Sequence, residues 1–298
     1  HKPAFILSTG DLVTTGRHPE WKPEFFDPLA DVISGVPIWP SMGNHDGDYR
    51  RYFSLPNNGR WYSFDYGNAH FICLDVYGKK EEMLSWCEQD LAASKATWKF
   101  VFLHFPSYDL GKHGTAWGRK DYLPMFRQQG VDIVFGGHSH SYQRWKPMFT
   151  TGENDRHPIT HMVVAGGGAP LTYVQMDPYL AVGLREYCYT AITIEGEKLT
   201  ARTLDTQGKE LDSLSITKKN GEPDAAYLAQ AMPEEGWGEL RKRVEPSFRG
   251  LVVAGPLREG KPAPLTIPLS AGDKAMKYEL RMEPQAAKDY AVETVAGE

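Results

Sequence analysis

At 298 residues, with 41 % apolar and 24 % charged side chains, the chain can bury a full-sized core and has the length of about two domains. A formal charge of −5 without any block of Lys or Arg argues against a broad nucleic-acid surface, so an anionic ligand would need local charges or metals. No apolar run approaches the roughly 18 residues that span a bilayer, no signal peptide is visible, and Cys73, Cys87 and Cys188, without CxxC spacing, read as core residues rather than a disulfide framework.

In chain order, the apolar or β-prone runs "PAFILS" (3–8), "VPIWPSM" (36–42), "WYSFDY" (61–66), "AHFICLDV" (69–76), "WKFVFLHF" (98–105) and "VDIVFG" (131–136) read as strands. Amphipathic stretches predict helices over 19–34, 80–94 and 118–130, the last closed by Gly130 as a C-terminal cap. Strands alternating with helices imply an α/β layer architecture. From 161 the texture changes: "HMVVAGGGAP" (161–170), "YCYTAITIEG" (187–196), "KLTARTLDTQG" (198–208) and "ELDSLSITK" (210–218) predict a β-rich half of the same domain. The organisation expected is a domain over 1–218, a polar linker with one helix over 219–245, and a partial β-sandwich over 246–298.

The polar residues fall where the apolar runs stop. "FILSTGD" ends at Asp11, "PIWPSMGNHD" at Asn44, His45 and Asp46, "FVFLHFP" at His104, and "DIVFGGHSH" at His138 and His140. Singly, each has an ordinary explanation: a turn or helix cap for Asp11 and Asp46, a turn for Asn44, a hydrogen-bonded histidine for His138. Jointly they do not, because independent turn preferences do not put metal-competent groups at every strand end. Ligands of open α/β sheets bind beyond the carboxyl ends of the strands. In an extended chain His138 and His140 would face one side, toward a centre that two metal ions could share.

These segments resemble the calcineurin-like metallophosphoesterases, and within them the purple acid phosphatase-like branch. "GDLV" (10–13), "GNHD" (43–46), "FLHFP" (102–106) and "GHSH" (137–140) follow the family's signatures in its order, and the likeness covers about residues 3–206. It implies a four-layer α/β/β/α sandwich that hydrolyses phosphate mono- or diesters of small molecules. By the same resemblance Asp11 bridges two metals, Asn44, His104 and His138 complete one site, and His140 belongs to the other. His45 would contact the phosphate and assist the leaving group, with Asp46 orienting it; Asn44, His45 and His113 would face the substrate. Two divalent transition metals (Mn, Zn or Fe) would activate a water for in-line attack, without a covalent intermediate.

Two departures from the family pattern matter. Thr14 stands where coloured members carry a tyrosine ligand to ferric iron, which implies a colourless site. The upstream D-x-H signature is missing, with no room before Asp11, so the expectation is that the sequence begins inside a longer protein. An extracytoplasmic location is expected, while the oligomeric state stays open. The competing readings are a nucleotide or cyclic-nucleotide phosphodiesterase and a non-enzymatic module with a degenerate core.

Overall fold

The computed structural model describes residues 2–47, 49–152 and 157–237, together with the backbone of 278–281 and 293–296. The chain divides into two compact units, His1–Glu234 and Glu235–Glu298. In the first, β1 (Ile6–Ser8) and β2 (Ile38–Pro40) pair in parallel. A mixed seven-stranded sheet is built from β3 (Tyr62–Tyr66), β4 (Ala69–Cys73), β5 (Trp98–Phe102), β6 (Ile133–Gly136), β7 (Tyr142–Trp145), β9 (Thr160–Val164) and β10 (Leu180–Leu184), in the order β10-β7-β9-β6-β5-β4-β3. The short β8 (Met148–Phe149) pairs with Met232–Pro233. A four-stranded sheet follows the chain through β11 (Cys188–Glu195), β12 (Lys198–Asp205), β13 (Glu210–Lys219) and β14 (Glu222–Pro223).

The two sheets close on a common core because one face of each strand is apolar. Phe64 on β3, Phe71 on β4 and Phe100 on β5 stand in register across three neighbouring strands, and their rings stack at centroid distances of 5.0 Å. Trp39 of β2 stacks on Phe64 at 4.1 Å, while Leu199, Ala201, Leu214 and Ile216 bring β12 and β13 to the same core. The alternate positions point the other way. Lys99, between Trp98 and Phe100, sends its Nζ to the Leu91 carbonyl of α3 (Lys80–Ala93) and to the Gln129 carbonyl, just beyond α4 (Leu123–Gln128). These two helices therefore cover the outer face of the large sheet.

Helix α3 buries Met83, Cys87 and Leu91, one every turn, and places Glu81 and Glu82 in its first turn where the helix dipole favours negative charge. Helix α4 starts later than the predicted 118, since Gly118 adopts a positive φ of 71° incompatible with an α-helix; Gly130, at φ 70°, ends it as expected. The predicted helix 19–34 forms as three pieces: α1 (His18–Trp21), a π-helical turn (Lys22–Phe26) and α2 (Asp27–Ile33), each with a proline at its first or second position. Prolines 19, 23 and 28 lack the N–H a continuous ladder would need. These pieces share a second cluster with Leu12, Ile38 and Met42, whereas Trp39 faces the main core, so β1–β2 lie between two layers. The four-layer α/β/β/α order follows.

Strand β7 was not evident from the sequence. Its Gln143 and Arg144 are buried yet paired: Gln143 with Asp109, and Arg144 with Asp212 at 2.6 Å. At the amino ends of the parallel strands, buried Asp132 accepts Lys218 Nζ at 2.7 Å and Lys99 N–H at 3.0 Å, tying β13 to β5 and β6. Within the stretch 219–245, α5 (Ala225–Leu228) is capped by Asp224, which accepts Tyr227 N–H at 2.8 Å. Residues 238–245 lie outside the described residues, as does the expected partial β-sandwich apart from an antiparallel pair, Tyr278–Arg281 with Glu293–Ala296. No helix among the described residues is long and apolar enough to cross a membrane, and the three cysteines are buried and free.

Phe71 sits at the centre of the aromatic row, so Phe71→Ala should lower stability by about 3–5 kcal/mol, read from the urea midpoint at an unchanged m-value.

Candidate metal centre

The site begins where β1 and β2 stop. Asp46, fully buried, accepts three backbone N–H bonds: Asp11 at 2.9 Å, Leu12 at 2.5 Å and Gly43 at 2.7 Å. Its carboxylate thereby sews the loop after β1 to the loop after β2. The two approach so closely that a Cβ on Gly43 would stand 2.2 Å from Asp11 Oδ1, which leaves glycine as the residue that fits. Asp11 itself is forced to φ 59°. Four non-glycine residues among those described have positive φ; two are asparagines, which tolerate it, and the others are Asp11 and His138 (φ 64°). Backbone strain of about 1–2 kcal/mol per residue is thus concentrated at two of the expected ligands.

The strand ends of the large sheet supply the rest. His104, buried two residues beyond β5, points its Nδ1 at the Thr9 carbonyl at 2.7 Å, which fixes that nitrogen as the donor. Its Nε2 then faces Asn44 Oδ1 at 2.8 Å and Asp11 Oδ2 at 3.2 Å. The His138 ring lies 5.1 Å from that of His104, centroid to centroid. Ligand atoms of Asp11, His104 and His138 all fall within 4.8 Å of one another. With Nδ1 on Thr9, Nε2 stands within reach of two oxygens, the arrangement of donor atoms that a cation between them would draw together. Mixed carboxylate, amide oxygen and imidazole donors suit a divalent first-row metal.

The electrostatics agree with that use. Burial works to raise the pKa of Asp11, but the hydrogen bond and charge of His104 and the His45 amide outweigh it and hold the carboxyl below its ordinary value. Burial first, then the neighbouring charges of His104 and His113, push His138 from the ordinary 6.5 to about 4. Its imidazole is neutral, and its lone pair available, at neutral pH.

The other expected residues fall in two groups. His113 is exposed and lies against His138, with ring centroids 4.1 Å apart, so the structure brings it to the site. His45 is exposed at the rim; its N–H donates to Asp11 Oδ1 at 2.9 Å and its Nδ1 meets the Thr14 carbonyl at 2.6 Å. Here the expectation for Asp46 is corrected: it does not orient His45, because both of its oxygens are taken by backbone amides and the imidazole is held by Thr14 instead. His140 stands outside the cluster of Asp11, His104 and His138, with Nδ1 at 3.0 Å from the Pro170 carbonyl. Nor are His138 and His140 aligned by an extended chain. Bonds from Ser139 N–H to Gly137 O and from Ser141 N–H to Ser139 O make 137–141 a tight turn with His138 in the left-handed region. Sequence reasoning missed Thr9 and Thr14, whose carbonyls carry no residue-specific signal.

Residues 1–142 match the family model described as calcineurin-like phosphoesterase. Acid phosphatase type 7 of Mus musculus is 28 % identical over 244 residues, covering 64 % of this chain and 55 % of that protein. A purple acid phosphatase of Glycine max is 31 % identical over 162 residues, covering 51 % of this chain and 33 % of that one. Among solved structures, the purple acid phosphatase PPD1 from yellow lupin (Lupinus luteus) seeds superposes with a TM-score of 0.62 at 20 % identity, over 77 % of this chain and 49 % of that chain. The chain spans about half the length of the curated relatives it matches.

Asp46→Asn keeps the shape but turns an NH2 toward backbone N–H groups; it should lower stability by about 3 kcal/mol and weaken Mn(II) binding, measured by denaturation and metal titration. The depressed pKa of His138 sets a second expectation. Between pH 6.5 and about 4 the unfolded histidine takes up a proton that the folded ring refuses, so the metal-free protein loses stability as pH falls through that window. His138→Ala should flatten this dependence when urea midpoints at pH 7 and pH 4.5 are compared.

Proposed function

We propose that this chain, similar over residues 1–142 to calcineurin-like phosphoesterases and more widely to acid phosphatases, hydrolyses phosphate monoesters or diesters of small molecules at a dinuclear divalent-metal centre. The observation that carries this reading is the convergence of Asp11, Asn44, His104 and His138 from four separate strand ends onto one cluster of donor atoms. In the proposal these residues hold one metal, and His140, with Asp11 shared, belongs to the second. Mn, Zn and Fe all suit the donor set. Bound there, divalent ions would neutralise charge on the phosphoryl oxygens and acidify a water for in-line attack.

The chain's own groups do the remainder. Asp11 would help hold the metals, and its Oδ1 accepts the His45 amide, which ties the rim histidine to the ligand loop. With Nδ1 on the Thr14 carbonyl, the exposed His45 keeps Nε2 for the substrate, where it would contact the phosphate and pass a proton to the departing oxygen. His113, its ring tilted against that of His138, offers a second imidazole to the phosphate from another loop. Asn44 contributes its amide oxygen without adding charge, so the centre keeps enough net positive charge to attract an anion. The extracytoplasmic location expected from the resemblance belongs to this same proposal.

A panel of phosphomonoesters, phosphodiesters and nucleotides assayed with Mn(II) and with Zn(II) tests the reading and separates the ester classes. His45→Ala should slow esters with poor leaving groups by about 10²–10⁴-fold, the usual range for a lost general acid, and nitrophenyl esters far less. Equal losses on both would leave His45 a phosphate contact only, and absence of turnover throughout the panel would overturn the hydrolase reading.

A further inference from the structure

The loop that carries His113 is wrapped around one carboxylate. Asp109, 1 % exposed, accepts the N–H of Gly111 at 2.7 Å and of Thr115 at 3.3 Å from its own loop. Its other partners come from the turn that bears the site histidines and from the strand after it: Ser139 Oγ donates at 2.6 Å and Gln143 Nε2 at 2.9 Å. Ser139 is the residue between His138 and His140, and it is fully buried. Gln143 completes the lacing by accepting Leu110 N–H at 2.8 Å. The two loops are packed without slack, since a Cβ on Gly111 would lie 2.7 Å from Ser139 Cβ and 2.9 Å from Asp109 Oδ1.

His113 touches His138 by its ring, and no hydrogen bond among the described residues holds that ring. Its place is therefore set by the backbone of its loop, and that backbone is set by Asp109. Four donors on two oxygens require a carboxylate; an asparagine would turn an NH2 toward one of them.

We infer that Asp109 and Ser139 form a positioning pair that locks the His113 loop onto the His138–His140 turn and so fixes His113 at the phosphate subsite. The role toward substrate rests on the hydrolase reading, whereas the coupling of the two loops does not. It is tested first on the metal-free chain. Ser139→Ala, which removes one hydroxyl, should speed amide hydrogen exchange at Gly111 and Thr115 and abolish the ring contact between His113 and His138 seen by NMR. The amides of Asp11 and Leu12, held by Asp46, should exchange as in the wild type.

On the Mn(II)-loaded chain, Ser139→Ala should raise KM for a phosphomonoester roughly tenfold, as expected when a binding group is displaced by about an ångström or less, and lower kcat less. Combined with His113→Ala it should add nothing to the loss from His113→Ala alone, because both remove the same contact. Asp109→Asn serves as the second variant and should reproduce both results. Multiplying losses in the double variant, or a His113–His138 contact that survives Ser139→Ala, would overturn the positioning role. If the wild type turns over nothing, the hydrolase reading fails and the exchange and ring-contact measurements decide the coupling by themselves.

Discussion

Three backbone amides from two strand ends converge on the carboxylate of Asp46, and the placement of the candidate metal ligands depends on that convergence. A carboxylate out of water is stable only when its lone pairs are used, and here they are used to set Asp11 in a left-handed conformation beside Gly43. Once those loops are joined, the Thr9 carbonyl is in place to accept His104 Nδ1, which orients the ring so that Nε2 meets Asn44 and Asp11. The hydrogen bond from Gly137 N–H to the His104 carbonyl then registers the β6 turn against the β5 turn. Each step uses main-chain groups to aim a side chain, so the ligand set is rigid through the backbone rather than through packing.

The two ends of the large sheet are built on different principles. At the amino ends, Asp132 and Lys218 form a buried ion pair, with Lys218 also on the Thr97 carbonyl and over the Trp98 ring at 4.6 Å, so the sheets are pinned across the core. Breaking such a pair exposes the partner to an uncompensated buried charge. At the carboxyl ends the chain runs into irregular loops whose polar groups satisfy one another. A fixed end and a loop-built end let chemistry vary without disturbing the core.

Much of the fold was legible because it follows from apolar periodicity: the strands around Phe71, Phe100 and Val134 and the buried stripe of α3 all announce themselves. Strand β7 did not, since Gln143 and Arg144 read as loop residues until their partners Asp109 and Asp212, 34 and 68 positions away, are known. The candidate ligands were legible as polar residues at the ends of apolar runs. The work of Asp46 was not, because adjacency to His45 in sequence suggests a partner that the backbone geometry denies it. The tight turn at 137–141 was also hidden: a left-handed His138 carries no compositional sign, unlike the glycines around it. His113 could be placed only through a family position, and the carboxylate that folds its loop lies four residues earlier with no pattern to mark it.

Among the described residues His45 is tied to the site by two hydrogen bonds, its own N–H on Asp11 and its ring on the Thr14 carbonyl, and no other side chain is hydrogen-bonded to its imidazole. The N–H belongs to any residue that stands there. A replacement at 45 therefore leaves the ligand loops, the strained turn and the core as they are. On the reading proposed above, catalytic power at position 45 can drift without passing through a misfolded intermediate, because the fold asks nothing of that side chain.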